Sequence, residues 1–343
     1  MPRQLIAEGK GAEPAIATHG LRKVYGKKIA VEDLTISVEV GEVFGFLGPN
    51  GAGKTTAIKM LMGLVSPSGG SARLLGQPLG DLKVKERIGF LPEHFRFHDW
   101  LNAEEFLHFH GQLYGMSPER RQQRVPQVLE VVGLSAQADD KLRTFSKGML
   151  QRIGLAQALL HEPSIVFLDE PTSGLDPLGR RHVRDIIREL KANRVTVFLN
   201  SHLLSEVELV SDRVAIINRG QVIRSGLLEE LLSEKLELQI RVGNVTPALL
   251  QELTRFGSSL TIEMAHDRVP VEGTATPGRL EELSQLCNSI ATDGTLLTLR
   301  LENPDMVPFI AREVVLNQGE LYNLSYRHVS LEELFIEAVG EEE

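Results

Sequence analysis

Residues 48–56 read GPNGAGKTT, and a stretch like this leaves a chain few choices of fold. Gly48, Gly53, Lys54 and Thr55 stand in the register G-x-x-x-x-G-K-[ST]. The apolar run EVFGFL before it reads as a buried strand, and AIKMLMGL after it reads as a helix. A glycine-rich turn between strand and helix lets successive backbone N–H groups point inward as an anion nest. The helix N-terminus adds partial positive charge. The stretch therefore predicts a phosphate cradle built from Gly48, Pro49, Asn50, Gly51, Ala52, Gly53, Lys54, Thr55 and Thr56. In it Lys54 neutralises β- and γ-phosphates and the Thr55 hydroxyl ligates Mg²⁺.

A second constellation lies further on. SIVFLDEP at 164–171 reads as a fully buried parallel strand that ends in Asp169-Glu170. Burying charge costs several kcal/mol unless a partner compensates. Mg²⁺ is the natural partner for Asp169, which leaves Glu170 to polarise water. TVFLNSH at 196–202 is another buried strand, ending in Ser201-His202. A histidine at that end of such a sheet is a candidate γ-phosphate sensor.

The rest of the chain can be taken in order. Residues 1–13 have no period and read as a loose tail. AIATHG and LTISVEV (34–40) read as strands, with Tyr25 between them. An aromatic placed there either stacks on a nucleotide base or packs at an edge. SPSGGSA (66–72) reads as a turn, and RIGFLPEHF (87–95) as a strand ending at Pro92-Glu93. Asn102 reads as the N-cap of one helix. Pro118 and Gly133 bracket a second, and a third opens near Ser146-Lys147-Gly148. His98, His108 and His110 lack ligand spacing with acidic partners and read as surface or satisfied polar residues. DRVAIINRGQVIRSG (212–226) reads as a hairpin turning at Arg219-Gly220.

Beyond Gly226 the phosphate vocabulary stops. LLEELLSEKL reads as a connecting helix. ELQIRVG, SLTIEMAH and TLLTLRLEN read as strands, and PALLQELTRF, PGRLEELSQLC and PDMVPFIAREVVL as helices. LEELFIEAVG reads as a terminal helix with Glu341–Glu343 frayed. The fold class is thus α/β: a P-loop nucleoside-triphosphatase domain at 14–226, with a helical subdomain about 94–162, then a small α+β domain at 227–343.

Charge sharpens the division. From residue 227 onward there are 8 Lys and Arg against 21 Asp and Glu, while the part before carries 29 against 25. An acidic second part argues against nucleic-acid binding there. The single cysteine, Cys287, excludes an internal disulfide and a Cys-based metal cluster, reads as a small core residue and suits a reducing cytoplasm. The N-terminus lacks a signal-peptide pattern, and no uncharged apolar run approaches ~18 residues. Any membrane role is expected through a partner.

Taken together, residues 15–226 resemble the nucleotide-binding subunit of ATP-binding cassette (ABC) transporters, motif by motif and in the family's order. Tyr25 matches the A-loop aromatic that stacks on adenine, GPNGAGKT the Walker A loop, and IVFLDE Walker B with its catalytic glutamate. SGLDP (173–177) matches the D-loop and His202 the switch histidine. FSKGM (145–149) stands where the signature usually reads LSGGQ. Ser146 and Gly148, which the family uses to touch the γ-phosphate across a dimer, are kept. Lys147 replaces a glycine and either adds charge toward phosphate or projects into solvent, with solvent favoured. Glu93 occupies the Q-loop position, where glutamine is usual.

The resemblance implies ATP sandwiched head to tail between two such domains. Lys54, Glu170 and His202 are then the catalytic residues, and Thr55, Asp169 and Glu93 organise Mg²⁺. It further implies a homodimer on a separate membrane permease at the inner face of the membrane. The SKGM-like signature and the LEELF ending look like drug, antibiotic or sodium exporters. A soluble cassette ATPase acting on ribosomes or DNA is the alternative. Ribosome-acting relatives usually carry two cassettes, and DNA-repair relatives carry long coiled coils. A kinase or GTPase lacks support without an N-K-x-D guanine motif.

Overall fold

In the computed structural model of the protein, residues 13–233, 237–264, 267–271, 276–290, 294–301, 303–327 and 329–340 are described. The expected tail, Glu13 apart, and the expected fraying at 341–343 lie outside them. The described chain divides into two compact units. One reaches to Leu228 and takes up Phe335 onward; the other is Glu229–Leu334.

The first unit opens with β1 (Ile16–Tyr25), β2 (Lys28–Leu34) and the two-residue β3 (Ser37–Val38), then β4 (Val43–Leu47) and α1 (Lys54–Leu61). The strand expected over 34–40 is therefore broken, and an unexpected strand precedes it. Thr18 is the reason. Its buried Oγ1 donates to Leu34 O (2.7 Å) and accepts from Ile36 N (2.9 Å), so the chain bends there while Leu34, Ile36 and Val38 keep their buried side. Next come β5 (Gly69–Leu74), β6 (Gln77–Pro78), α2 (Leu82–Lys85) and β7 (Ile88–Leu91). The glycines of 66–72 thus begin a strand rather than a turn; Gly69 to Leu74 pair antiparallel with β1.

A helical layer follows: α3 (Ala103–Leu113), α4 (Pro118–Val131) and α5 (Lys147–Leu159). Each starts on a side-chain cap that satisfies an orphan amide. Asn102 and Glu105 form a reciprocal capping box, Ser117 accepts from Arg120 N, and Ser146 accepts from Met149 N. The sheet then resumes with β8 (Ile165–Asp169), α6 (Pro177–Ala192), β9 (Thr196–Asn200), α7 (Leu204–Glu208), β10 (Arg213–Asn218) and β11 (Gln221–Leu227).

The strand order is β6-β5-β1-β2-β11-β10-β4-β9-β8-β7, with β3 on β1. From β10 to β7 every pairing is parallel. Phe90, Phe167, Phe198 and Phe44 lie in register across four of these strands. The Phe198 ring lies 5.3 Å from Phe167 and 5.4 Å from Phe44, in ordinary aromatic packing. Parallel strands put their carboxyl ends on one edge. Gly48, Asp169-Glu170, Asn200-Ser201-His202 and Pro92-Glu93 therefore all leave the sheet at the same side.

The second unit holds α8 (Leu228–Ser233), β12 (Glu237–Gly243), α9 (Pro247–Leu253), β13 (Gly257–Met264), β14 (Asp267–Val271), α10 (Pro277–Ile290), β15 (Thr295–Leu301), α11 (Val307–Leu316), β16 (Glu320–Arg327) and the start of α12 (Leu331–Gly340). Its sheet, β14-β13-β15-β12-β16, is antiparallel throughout. Leu238, Ile240, Leu297 and Leu299 meet Leu250, Leu283 and Ile310 from α9, α10 and α11 in one core. Cys287 is buried there, and burial pushes its thiol up. Strands β14 and β16 were not expected. Pro270 demotes the first as a strand, and ELYNLSYR is too polar to stand out.

Candidate functional site

At the carboxyl edge of the parallel strands lies a cleft of about 510 Å³ lined by Lys28, Ala30, Asn50, Gly51, Gly53, Lys54, Thr55, Thr56, Glu93, Glu170, Asn200 and His202. Its floor is the loop between β4 and α1. Gly53 N-caps α1 at φ 107°, in the left-handed region. A Cβ there would meet Ala30 O at 2.3 Å, so loop and β2 approach in a way only glycine allows. From behind, Gly220 N donates to Ala52 O (3.0 Å), so the hairpin turn between β10 and β11 supports the loop. Lys54 Nζ donates to Gly48 O (2.6 Å) and Pro49 O (3.1 Å). The half-buried ammonium has closed onto the carbonyls of its own loop. Burial pulls its pKa down, against the pull of Glu170, Asp169 and Glu93.

At the same sheet edge Asp169 ends β8; it is 4% exposed and does not itself line the cleft. Asn200 Nδ2 donates to its Oδ1 (2.5 Å). Burial pushes its carboxyl up, and the Glu93 carboxylate adds to the rise. Glu170 follows at φ 54°, a left-handed backbone that a non-glycine residue adopts at an energetic cost. Its N–H donates to Asn200 O (2.8 Å), which holds the turn. His202 Nδ1 lies 2.6 Å from Glu170 Oε2. The sequence leaves Glu170 free for water; instead one carboxylate oxygen is engaged by the imidazole. Burial raises the Glu170 pKa, and His202 counters it. His202 itself is more than half exposed and faces the cleft.

The other expected residues fall elsewhere. Tyr25 is opposite Lys28 in the β1–β2 pairing, with its ring exposed and Lys23 Nζ 5.0 Å from its centroid. Neither Ser146 nor Gly148 lines the cleft; Ser146 caps α5 instead. Three cleft residues, Lys28, Ala30 and Asn200, were not expected. Lys28 looks like a solvated charge on a short hairpin, and only its register opposite Tyr25 betrays it. Asn200 carried a readable signal, a polar residue ending a buried strand just before Ser201-His202.

The histidines expected as surface or satisfied polar residues behave differently from one another. His108 sits 3.6 Å from Glu104. His110 packs against Phe106 and Phe95, and burial, aided by His98, pushes it down to about 4. This aromatic chain continues through Phe109 and His98 to Trp100, which is 69% exposed. Among the described residues, no group of three or more His, Cys, Asp and Glu side chains gathers to hold a metal unaided.

Known proteins place the chain. The ABC transporter family profile matches residues 31–173. An uncharacterized ABC transporter ATP-binding protein of Nostoc sp. is 48% identical over 235 residues, 66% of this chain and 70% of the relative. The linearmycin resistance ATP-binding protein LnrL of Bacillus subtilis is 34% identical over 296 residues, 85% of this chain and 95% of the relative. A solved structure of the ATP binding subunit of an ABC transporter superposes with a TM-score of 0.58 at 31% identity, over 64% of this chain and 92% of that one. The chain belongs to the ABC transporter ATP-binding proteins, and is an ATP-binding and ATP-hydrolysing subunit.

Proposed function

We propose that this chain is half of a two-copy motor that drives export through a separate membrane permease. One observation carries the reading. The parallel strands bring the phosphate loop, Glu93, Asp169-Glu170 and His202 to one sheet edge, where Lys54, Thr55, Glu93, Glu170 and His202 line one cleft, while Ser146 and Gly148, on the separate α5, do not line it. The cleft holds one side of a nucleotide, and the signature of a second copy supplies the other.

Within the cleft, the loop amides and Lys54 hold the phosphates, with Lys54 leaving the carbonyls of Gly48 and Pro49. Thr55, Asp169 and Glu93 fit a hard divalent cation. They offer only oxygen donors, and a cation relieves the buried Asp169 carboxyl, which burial and then the Glu93 charge push up. Mg²⁺ is commonly bound by one or two carboxylates plus substrate phosphates, which matches the lack of a closed protein cage among the described residues. When bound, it neutralises charge developing on the phosphates. Glu170 accepts a proton from the attacking water as the new O–P bond forms and the bond from the γ-phosphorus to the ADP oxygen breaks. Exchange of the Glu170–His202 contact frees the carboxylate for water and turns the imidazole to the γ-phosphate.

Among the described residues no helix is long and apolar enough to cross a membrane, so translocation needs another subunit. Trp100 and Phe109 expose the outer end of an aromatic chain rooted beside Phe95, two residues after Glu93. We infer that the permease docks on that face, on the cytoplasmic side of the membrane. The direction rests on the signature, together with the relative named for linearmycin resistance. The experiment is purification of the full chain from membranes and identification of what accompanies it. A multi-span membrane protein is expected, and Trp100→Ala reduces its recovery at least fivefold while the chain stays folded. Recovery of ribosomes in its place overturns the reading.

A further inference from the structure

The signature lysine does not project into solvent alone. Lys147 is the first residue of α5 and, although exposed, its side chain crosses the D-loop at Gly174. A Cβ built on Gly174 would stand 1.9 Å from Lys147 Nζ, 2.9 Å from Cε and 3.5 Å from Cδ. Gly174 takes φ 67°, so its backbone also suits the residue that leaves this space open. The ammonium has no hydrogen-bond or ion-pair partner among the described residues. The contact is therefore one of packing, in which the lysine occupies the volume a side chain at 174 would need.

The next residue repeats the arrangement. A Cβ on Gly148 would lie 3.8 Å from Leu175 Cδ2, and Leu175 is buried. Two successive signature residues thus run alongside two successive D-loop residues. The D-loop is in turn tied on both sides. Ser173 N donates to Glu170 O (3.2 Å), Leu175 N to Thr172 O (3.3 Å), and Arg180 Nε to Leu175 O (3.1 Å). Asp176 caps α6 by accepting from Gly179 N (2.7 Å). The start of α5 and the strained turn at Glu170 are thereby joined by a continuous set of contacts through Gly174.

We propose that Lys147 is a positioning residue that couples the signature to the catalytic glutamate of its own chain through Gly174. This rests on the split-site reading. There the signature touches nucleotide held by the second copy, so the Lys147–Gly174 contact links one nucleotide site to the other. Closure at one site sets the Glu170 backbone at its neighbour, and hydrolysis depends cooperatively on ATP.

The test is a double-mutant cycle on the full chain, read as ATP hydrolysis against ATP concentration and as ATP binding. Gly174→Ala displaces the flexible end of Lys147 and also strains a backbone at φ 67°, so folding is checked by circular dichroism and the cycle separates the two effects. The substitution is expected to lower kcat at least tenfold and bring the Hill coefficient to about 1, with ATP affinity within twofold of the parent. In a Lys147→Ala background, where only the backbone strain remains, the effect of Gly174→Ala on kcat is expected to be at least threefold smaller. Lys147→Met keeps the stem and is expected to recover most of the rate that Lys147→Ala loses. If Gly174→Ala has the same fold-effect in both backgrounds, it acts only through its own backbone and the coupling is overturned. The coupling is equally overturned if Lys147→Met is no better than Lys147→Ala. Glu170→Gln distinguishes failure of the wider reading: hydrolysis at the parent rate in that variant sinks the site assignment, whereas an inactive variant with an additive cycle sinks only the coupling.

Discussion

In the first unit five neighbouring strands run parallel; in the second, every described pair runs antiparallel. Both sheets bury comparable aliphatic cores. The difference lies in where polar groups end up. Parallel strands all finish on one edge, so Asp169, Glu170, Asn200 and the loop after Leu47 converge without any strand leaving the core. Antiparallel strands finish alternately at opposite edges. The charges of the second unit gather instead on a sheet face, where Arg327 reaches Glu237 (3.4 Å) and Glu263 (3.7 Å) and Thr298 Oγ1 donates to Glu263. Strand direction, more than composition, decides whether chemistry-bearing groups gather at one edge, as in the first unit, or spread over a face, as in the second.

Equal damage to the two cores challenges this contrast hardest. Phe198→Ala removes a ring packed against Phe44, Phe46 and Phe167 directly beneath the site. It should cost about 3–5 kcal/mol of stability and weaken ATP binding with it, as followed by thermal unfolding and nucleotide titration. Leu299→Ala in β15 should cost about 2–5 kcal/mol while leaving ATP affinity within about twofold. Matching losses of ATP affinity would mean that the second sheet shapes the cleft, and the contrast would fail.

Acidification should draw the same line at a smaller scale. Burial raises the carboxyls of Asp169 and Glu170 above the ordinary range. Glu170 accepts a proton only when ionised, so kcat should fall as pH drops while still above the usual carboxylate pKa, and recover on return. His110, pushed down to about 4, works in the same direction on stability. Its unfolded form binds a proton from near pH 6.5, so the stability it contributes is present above that pH and is lost as pH falls toward 4. Thermal unfolding of the parent and of His110→Leu at pH 7 and pH 5 reads the His110 contribution, and the pH profile of kcat in the parent reads the Glu170 contribution.

The smallest effect belongs to Tyr25. Its ring is half exposed, with Lys23 near its face. Base–aromatic stacking contributes roughly 1–3 kcal/mol, so Tyr25→Ala should weaken ATP about fivefold at the low end of that range. An unchanged affinity would assign the ring to edge packing.

Much of the first unit was legible because its constraints are local. A phosphate loop needs glycines at fixed spacing, and a buried strand ending in Asp-Glu announces its carboxylates. What escaped depends on pairing. The break after Leu34 is set by Thr18, sixteen residues away. The contact of His202 with Glu170 joins two strands, and that of Lys147 with Gly174 joins a helix start to a loop. Lys28 reaches the cleft only through its register opposite Tyr25. Strand β16 shows little aliphatic alternation and stands at an edge, with one strand neighbour among the described residues.

Everything proposed for the cleft turns on Glu170, held at a strained turn by Asn200 and His202, taking the proton of the attacking water. Steady-state ATP hydrolysis by Glu170→Gln, beside the parent chain at equal ATP occupancy, isolates that step. The expected outcome is a loss of about 10²- to 10⁴-fold in kcat, with ATP still bound and a long-lived two-copy complex. Hydrolysis at the parent rate would remove Glu170 from the reaction.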